Sequence, residues 1–116
     1  MKLPAFFLAA FALSFAAGGG LAEEMGDIDA GAKVFSKCKG CHEVGQAAED
    51  RIGPHLNGIF GSNAGAHEGY RYSKSMTRAG VDGLIWTAET LDAYLENPRA
   101  LVSKTRMSFR GLKSAE

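Results

Sequence analysis

The chain has only two cysteines in 116 residues, so composition offers no competing disulfide framework of the kind that staples small exported domains. Net charge is also missing. Thirteen basic residues balance 13 acidic ones, and without global basicity nothing argues for nucleic acid. The longest apolar stretch falls short of the roughly 20 residues that a membrane-spanning helix needs. Strand-like alternation, internal repeats and low-complexity tracts beyond the first residues are absent too. What remains is a small all-α domain with long loops.

The first residues read as an export signal. Lys2 supplies a positive n-region, Leu3 to Ala17 form an apolar stretch broken by Pro4 and Ser14, and Gly18-Gly19-Gly20-Leu21-Ala22 offers small residues for cleavage after Ala22. Residues 1–22 are thus expected to be a signal peptide, and residues 23–116 a single domain of the periplasm. Without Lys2 that domain carries 12 basic and 13 acidic residues, a formal charge of −1. A domain this short buries a modest core, and a covalently held apolar cofactor would supply the missing stability.

Cys38-Lys39-Gly40-Cys41-His42 spells Cys-x-x-Cys-His, the attachment pattern of a c-type haem. Two thiols at this spacing can each form a thioether to one vinyl group of a single porphyrin. The next histidine is carried beneath the iron as the proximal ligand. A thiol-redox or zinc reading of the same cysteines fails for want of a βαβ pattern or a second pair of ligands.

Around the motif, Asp27 to Cys38 predicts a helix capped by Asp27 or Asp29, with Ile28, Ala32 and Phe35 at helical spacing. Glycines at 45, 53, 58, 61, 65 and 69 punctuate a long irregular stretch that a flat apolar disc could organise. Ser73 to Ala79 predicts a short helix stopped by Gly80. Ala88 to Glu96 predicts the clearest helix, with Thr87 as N-cap, Trp86 and Leu91 as a hydrophobic staple, Glu89 at the positive end and Asn97-Pro98 as the stop.

A six-coordinate iron needs a second ligand, and the candidates are Met25, Met76, Met107, His55, His67 and the lysines. Met107 stands out, late in a loop between Thr105 and Phe109, although a lone methionine also serves as core filler. Met76 reads as core, and His55 and His67 as surface or loop-bracing residues.

In order, Gly31 and Phe35, Cys-Lys-Gly-Cys-His, Ile52-Gly53-Pro54-His55-Leu56, Gly58-Ile59-Phe60-Gly61, Tyr70-Arg71-Tyr72-Ser73, Trp86, Leu91 to Pro98 and Thr105 to Phe109 resemble the class I c-type cytochromes. The likeness is to bacterial cytochromes c2 and mitochondrial-type cytochrome c. It implies the class I fold, helices and loops around one covalent haem c held by Cys38 and Cys41. It also implies His42 as proximal and Met107 as distal axial ligand. The Pro54 carbonyl would take the His42 Nδ1 proton, Tyr72 and Trp86 would serve one propionate, Thr105 the other, and Tyr94 would lie near the methionine sulfur. Plain core packing is the competing reading for the three aromatics.

The departures are Ser103-Lys104 where mitochondrial relatives have Pro-Gly, Ser62 for an arginine, Met76 for an asparagine, and a longer Gly80–Ile85 segment. Relatives continue past Ala115-Glu116 into a C-terminal helix that crosses the first helix at Gly31 and Phe35. The domain is therefore expected to be incomplete at its C-terminus: either the sequence is a fragment or the protein lacks that packing partner of its first helix.

Filled axial positions imply a diffusible one-electron carrier with no substrate chemistry, and the protein is expected to be a monomer. Its donor would be a cytochrome bc1 complex, and its acceptor a terminal oxidase or photosynthetic reaction centre. Lys37, Lys39, Arg106, Arg110 and Lys113 could steer it toward acidic docking surfaces or simply be solvated. The alternative is a haem enzyme such as a peroxidase, in which the Met107 bond is weak or absent.

Overall fold

The computed structural model describes residues 26–113. The expected signal, residues 1–22, lies outside them, as do the last three residues, on which the expectation of a missing C-terminal helix bears. The described chain forms α1 (Ile28–Phe35), α2 (Lys74–Val81), α3 (Ala88–Glu96) and α4 (Pro98–Leu101).

Asp27 caps α1 through its side chain, which accepts from the Ala30 N–H at 2.8 Å. The helix stops at Phe35, earlier than the sequence predicts. From there the Lys37 and Cys38 N–H groups reach the carbonyls three residues back, at 3.0 and 2.8 Å, and the coil tightens. The apolar face predicted for α1 is thinly covered. Within α1, Ile28 is 82% exposed and only Val34 and Phe35 are half-buried.

In α2, Ser73 supplies the N-cap, accepting from the Met76 N–H at 3.1 Å. Gly80 does not end this helix, contrary to the expectation. It lies within α2 and is buried, because a Cβ there would fall on the Ala64 carbonyl. Gly80 is a crossing residue, and the stop comes at Gly83, with φ +104°. The Leu84 N–H reaches the Ala79 carbonyl at 2.9 Å and the Gly83 N–H reaches Gly80 at 3.1 Å, the two bonds of a Schellman motif.

Thr87 caps α3 as predicted, and Thr90 returns the bond to the Thr87 N–H at 2.8 Å. Asn97 ends it. The buried Pro98 then opens α4, a single turn that the sequence pattern did not predict, since four residues carry no period.

Ala64, Trp86, Tyr94 and Val102 form the buried core, flanked by Ile59, Met76, Ala79, Leu84, Leu91 and Met107. Leu91 packs against the cluster that contains Trp86. The 61–64 and 84–86 segments join through Gly61 N–H to Trp86 O at 2.7 Å, Trp86 N–H to Ser62 O at 2.9 Å and Ala64 N–H to Leu84 O at 2.9 Å. Their single bridge, Asn63 with Ile85, is the only β-pairing among the described residues. The architecture is all-α, with loops carrying much of the chain.

Candidate functional site

The tightened turn after α1 sets the chemistry. The Cys41 and His42 N–H groups both reach the Cys38 carbonyl, at 3.1 and 2.9 Å, so the two thiols and the imidazole leave a single turn. Both cysteines are free and half-buried. Burial pushes the Cys38 thiol up, the neighbouring Cys41 adds to this, and Lys37 opposes it. Catalytic Cys-x-x-Cys dithiols need the reverse, a lowered thiol.

His42 is held from two sides. Its Nδ1 lies 2.7 Å from the Pro54 carbonyl, which fixes the proton on Nδ1 and leaves the Nε2 lone pair free to bind a metal. Its ring lies against Gly53, which is buried, and a Cβ there would collide with the imidazole. The Gly53 N–H in turn binds the Cys41 carbonyl at 2.9 Å. Sequence reasoning found Pro54 through the family likeness but missed what Gly53 does. No spacing rule shows that a glycine forms the wall behind a ring 11 residues earlier.

Trp86, Tyr94, Thr105 and Met107 come together in and around the core. Trp86 and Tyr94 pack with ring centroids 5.0 Å apart. The Tyr94 hydroxyl and Thr105 Oγ1 share a buried hydrogen bond of 2.7 Å, a link that the sequence did not suggest. Burial raises the Tyr94 pKa and the Thr105 bond partly offsets it. The Met107 N–H reaches Thr105 Oγ1 at 3.4 Å, so one hydroxyl joins α3 to the methionine loop. Arg106 ties that loop to another by donating to the Arg71 carbonyl at 3.0 Å. Lys104, just before, has φ +58°, the one left-handed non-glycine among the described residues.

Tyr72 lies with the 64–72 loop, its ring 4.9 Å from that of Tyr70. Burial pushes its hydroxyl up, the His67 backbone opposes this, and Asp50 and Tyr70 add smaller increases. Met76 packs on the core from α2, as expected. His67 braces its loop against Asp50 and its backbone reaches the Tyr72 hydroxyl, and His55 follows Pro54 in the chain.

These residues fit a covalently held haem. Two reduced thiols share a turn with a histidine whose Nε2 is free, and a methionine stands half-buried beside a small apolar core. The only cluster of potential metal ligands from His, Cys, Asp and Glu among the described residues contains neither cysteine, which removes the zinc reading of the motif.

The family model for cytochrome c matches residues 28–115. The chain is 51% identical over 89 residues to cytochrome c2 of Afifella marina, covering 77% of this chain and 72% of that one. It is 46% identical over 91 residues to cytochrome c2 of Rhodomicrobium vannielii, covering 78% and 70%. With cytochrome c2 of Rhodospirillum rubrum the identity is 40% over 113 residues, covering 90% and 82%. The chain therefore belongs to the cytochrome c family, and its prosthetic group is one covalently attached haem c.

Proposed function

We propose that this protein is a periplasmic one-electron carrier, exported by residues 1–22. Its haem c would be attached through Cys38 and Cys41 and ligated by His42 and Met107. The observation that carries this reading is the 2.7 Å contact from His42 Nδ1 to the Pro54 carbonyl, because it directs the other ring nitrogen to metal binding. When bound, the haem supplies a one-electron couple, and thioether with imidazole ligation favours the ferrous form.

The chain's own residues hold that site. Gly53 admits the His42 ring and Pro54 fixes its tautomer. The Tyr94–Thr105 bond anchors the loop that presents Met107, and Arg106 fastens the same loop to Arg71. Tyr72 and Trp86 are the residues assigned to one propionate and Thr105 to the other. Lys37, Lys39, Arg106, Arg110 and Lys113 are exposed, and they would present positive charge to acidic docking surfaces. The partners would be a cytochrome bc1 complex as donor and a terminal oxidase or photosynthetic reaction centre as acceptor.

The optical spectrum of the oxidised holoprotein tests the ligand assignment. It should show the weak band at the red edge that reports iron–methionine sulfur bonding. Met107→Ala should abolish the band while the haem stays attached, and Met76→Leu, which nearly conserves volume, should keep it. A band that survives Met107→Ala and disappears in Met76→Leu would assign the wrong sulfur.

A further inference from the structure

The chain has three histidines, and the site above uses one. The other two, His55 and His67, belong to different loops, yet their ring centroids lie 4.2 Å apart at an interplanar angle of 63°. Both meet the same carboxylate. His67 Nε2 is 3.0 Å from each Asp50 oxygen, and the His55 backbone N–H donates to Asp50 Oδ1 at 2.9 Å. One potential ligand atom from each of the three side chains lies within 4.8 Å of the other two. Among the described residues, His55 Nδ1 is the one buried side-chain polar atom with no hydrogen-bond partner. A buried ring nitrogen in that condition is unfavourable unless something binds it.

We propose that Asp50, His55 and His67 form a binding site for a divalent zinc-class cation, separate from the haem iron. The donor set decides the class. Two imidazoles and one carboxylate suit a borderline-soft ion such as Zn²⁺, whereas Ca²⁺ and Mg²⁺ take oxygen ligands. Size agrees as well. Two ligands at ~2.0–2.1 Å from a tetrahedral ion stand ~3.3 Å apart. The His67–Asp50 pair is already at 3.0 Å and the His55 ligand atom lies within 4.8 Å of both, so closing the site requires His55 to approach by at most ~1.5 Å.

His67 and Asp50 have side-chain exposures of 31% and 29%, which leaves room for water as a fourth ligand. The nearest cation in sequence, Arg51, is engaged 4.0 Å from Glu43. An ion here would bridge the loop carrying Asp50 and His55 to the loop carrying His67. Gly53 and Pro54, which hold His42, fall between the first two ligands. Binding would therefore stiffen the support of the proximal histidine.

The test uses the intact holoprotein titrated with ZnCl₂, followed by calorimetry and by the thermal unfolding midpoint. One Zn²⁺ should bind per chain, and the midpoint should rise with Zn²⁺ concentration, as it does for a ligand that binds only the folded state. His67→Ala should weaken binding at least ~10-fold, the minimum for losing a direct ligand when second-shell losses already reach that size. Asp50→Asn keeps an acceptor for the His55 N–H and should lose affinity similarly, so a folding defect in one variant does not decide the matter. Glu68→Gln, beside His67 but outside the triad, should bind as the parent does. Absence of stoichiometric binding would overturn the site. So would Zn²⁺ affinity unchanged in both His67→Ala and Asp50→Asn, which would assign the ion to the propionates or other surface carboxylates.

Discussion

Gly53 has no side chain to contribute, yet the position of His42 depends on it. A Cβ at residue 53 would strike the imidazole, so Gly53→Ala must displace either the ring or the backbone that carries Pro54. Overpacking of this kind costs about 1–3 kcal/mol. The variant should unfold at lower denaturant and bind iron less firmly on the proximal side. An unchanged midpoint together with an unchanged ferric spectrum would show that the wall is soft. Lys104 presents the opposite situation. Its φ of +58° is where an L-residue is strained and a glycine is not. Lys104→Gly should therefore stabilise the holoprotein by about 1 kcal/mol, read from the denaturant midpoint. Destabilisation would mean that the lysine stem makes compensating contacts.

At the level of elements, capping explains why such short helices stand. Helices of eight or nine residues are marginal alone, and each of α1, α2 and α3 has a side-chain N-cap. At the start of α3, Glu89 is held below the ordinary carboxylate range, first by its own backbone N–H and then by the Thr87 side chain. A depressed folded pKa stabilises above the unfolded value, and that contribution is lost as pH falls through the folded pKa. Glu89→Gln should therefore lower the unfolding midpoint at neutral pH and match the parent in acid. Curves that stay equally separated at every pH would show that the ionised carboxylate is not what stabilises α3. The core-facing half of α3 was legible from Leu91, Tyr94 and Leu95, because nine residues suffice to show a period. The end of α2 was not legible. Gly80 looks like a terminator in sequence, and only its approach to the Ala64 carbonyl shows that it is a packing residue.

For the whole molecule, near-zero net charge coexists with exposed basic residues before, within and beyond the two ligand segments. If they steer the protein to an acidic partner, Lys39→Glu or Arg106→Glu should slow association, with a smaller effect on the reduction potential. The parent rate should fall with rising ionic strength, and the variants' rates should fall less steeply, because steering is screened. Stopped-flow reduction by a bc1 complex, or oxidation by a terminal oxidase, would measure this. A parent rate independent of salt would reduce these residues to a solvated surface. Cross-loop ties also act at this scale. Tyr70 donates to the Ile52 carbonyl at 2.6 Å, Arg106 reaches Arg71, and His67 meets Asp50. Long irregular segments are held to one another by single polar contacts more than by regular structure.

The sequence by itself determined the cofactor, the helical class and the family, because each is written in local order. Five contiguous residues spell the attachment motif, caps lie next to what they cap, and the spaced family segments keep their succession. Tertiary structure alone decided the contacts between residues that sequence separates. Gly53 lies against His42, Thr105 shares a hydrogen bond with Tyr94, Gly80 crosses Ala64, and two loop histidines converge on Asp50. Period and motif describe a residue's neighbours along the chain. Close approach depends on how loops without a period return in space, and in this protein those loops build the site.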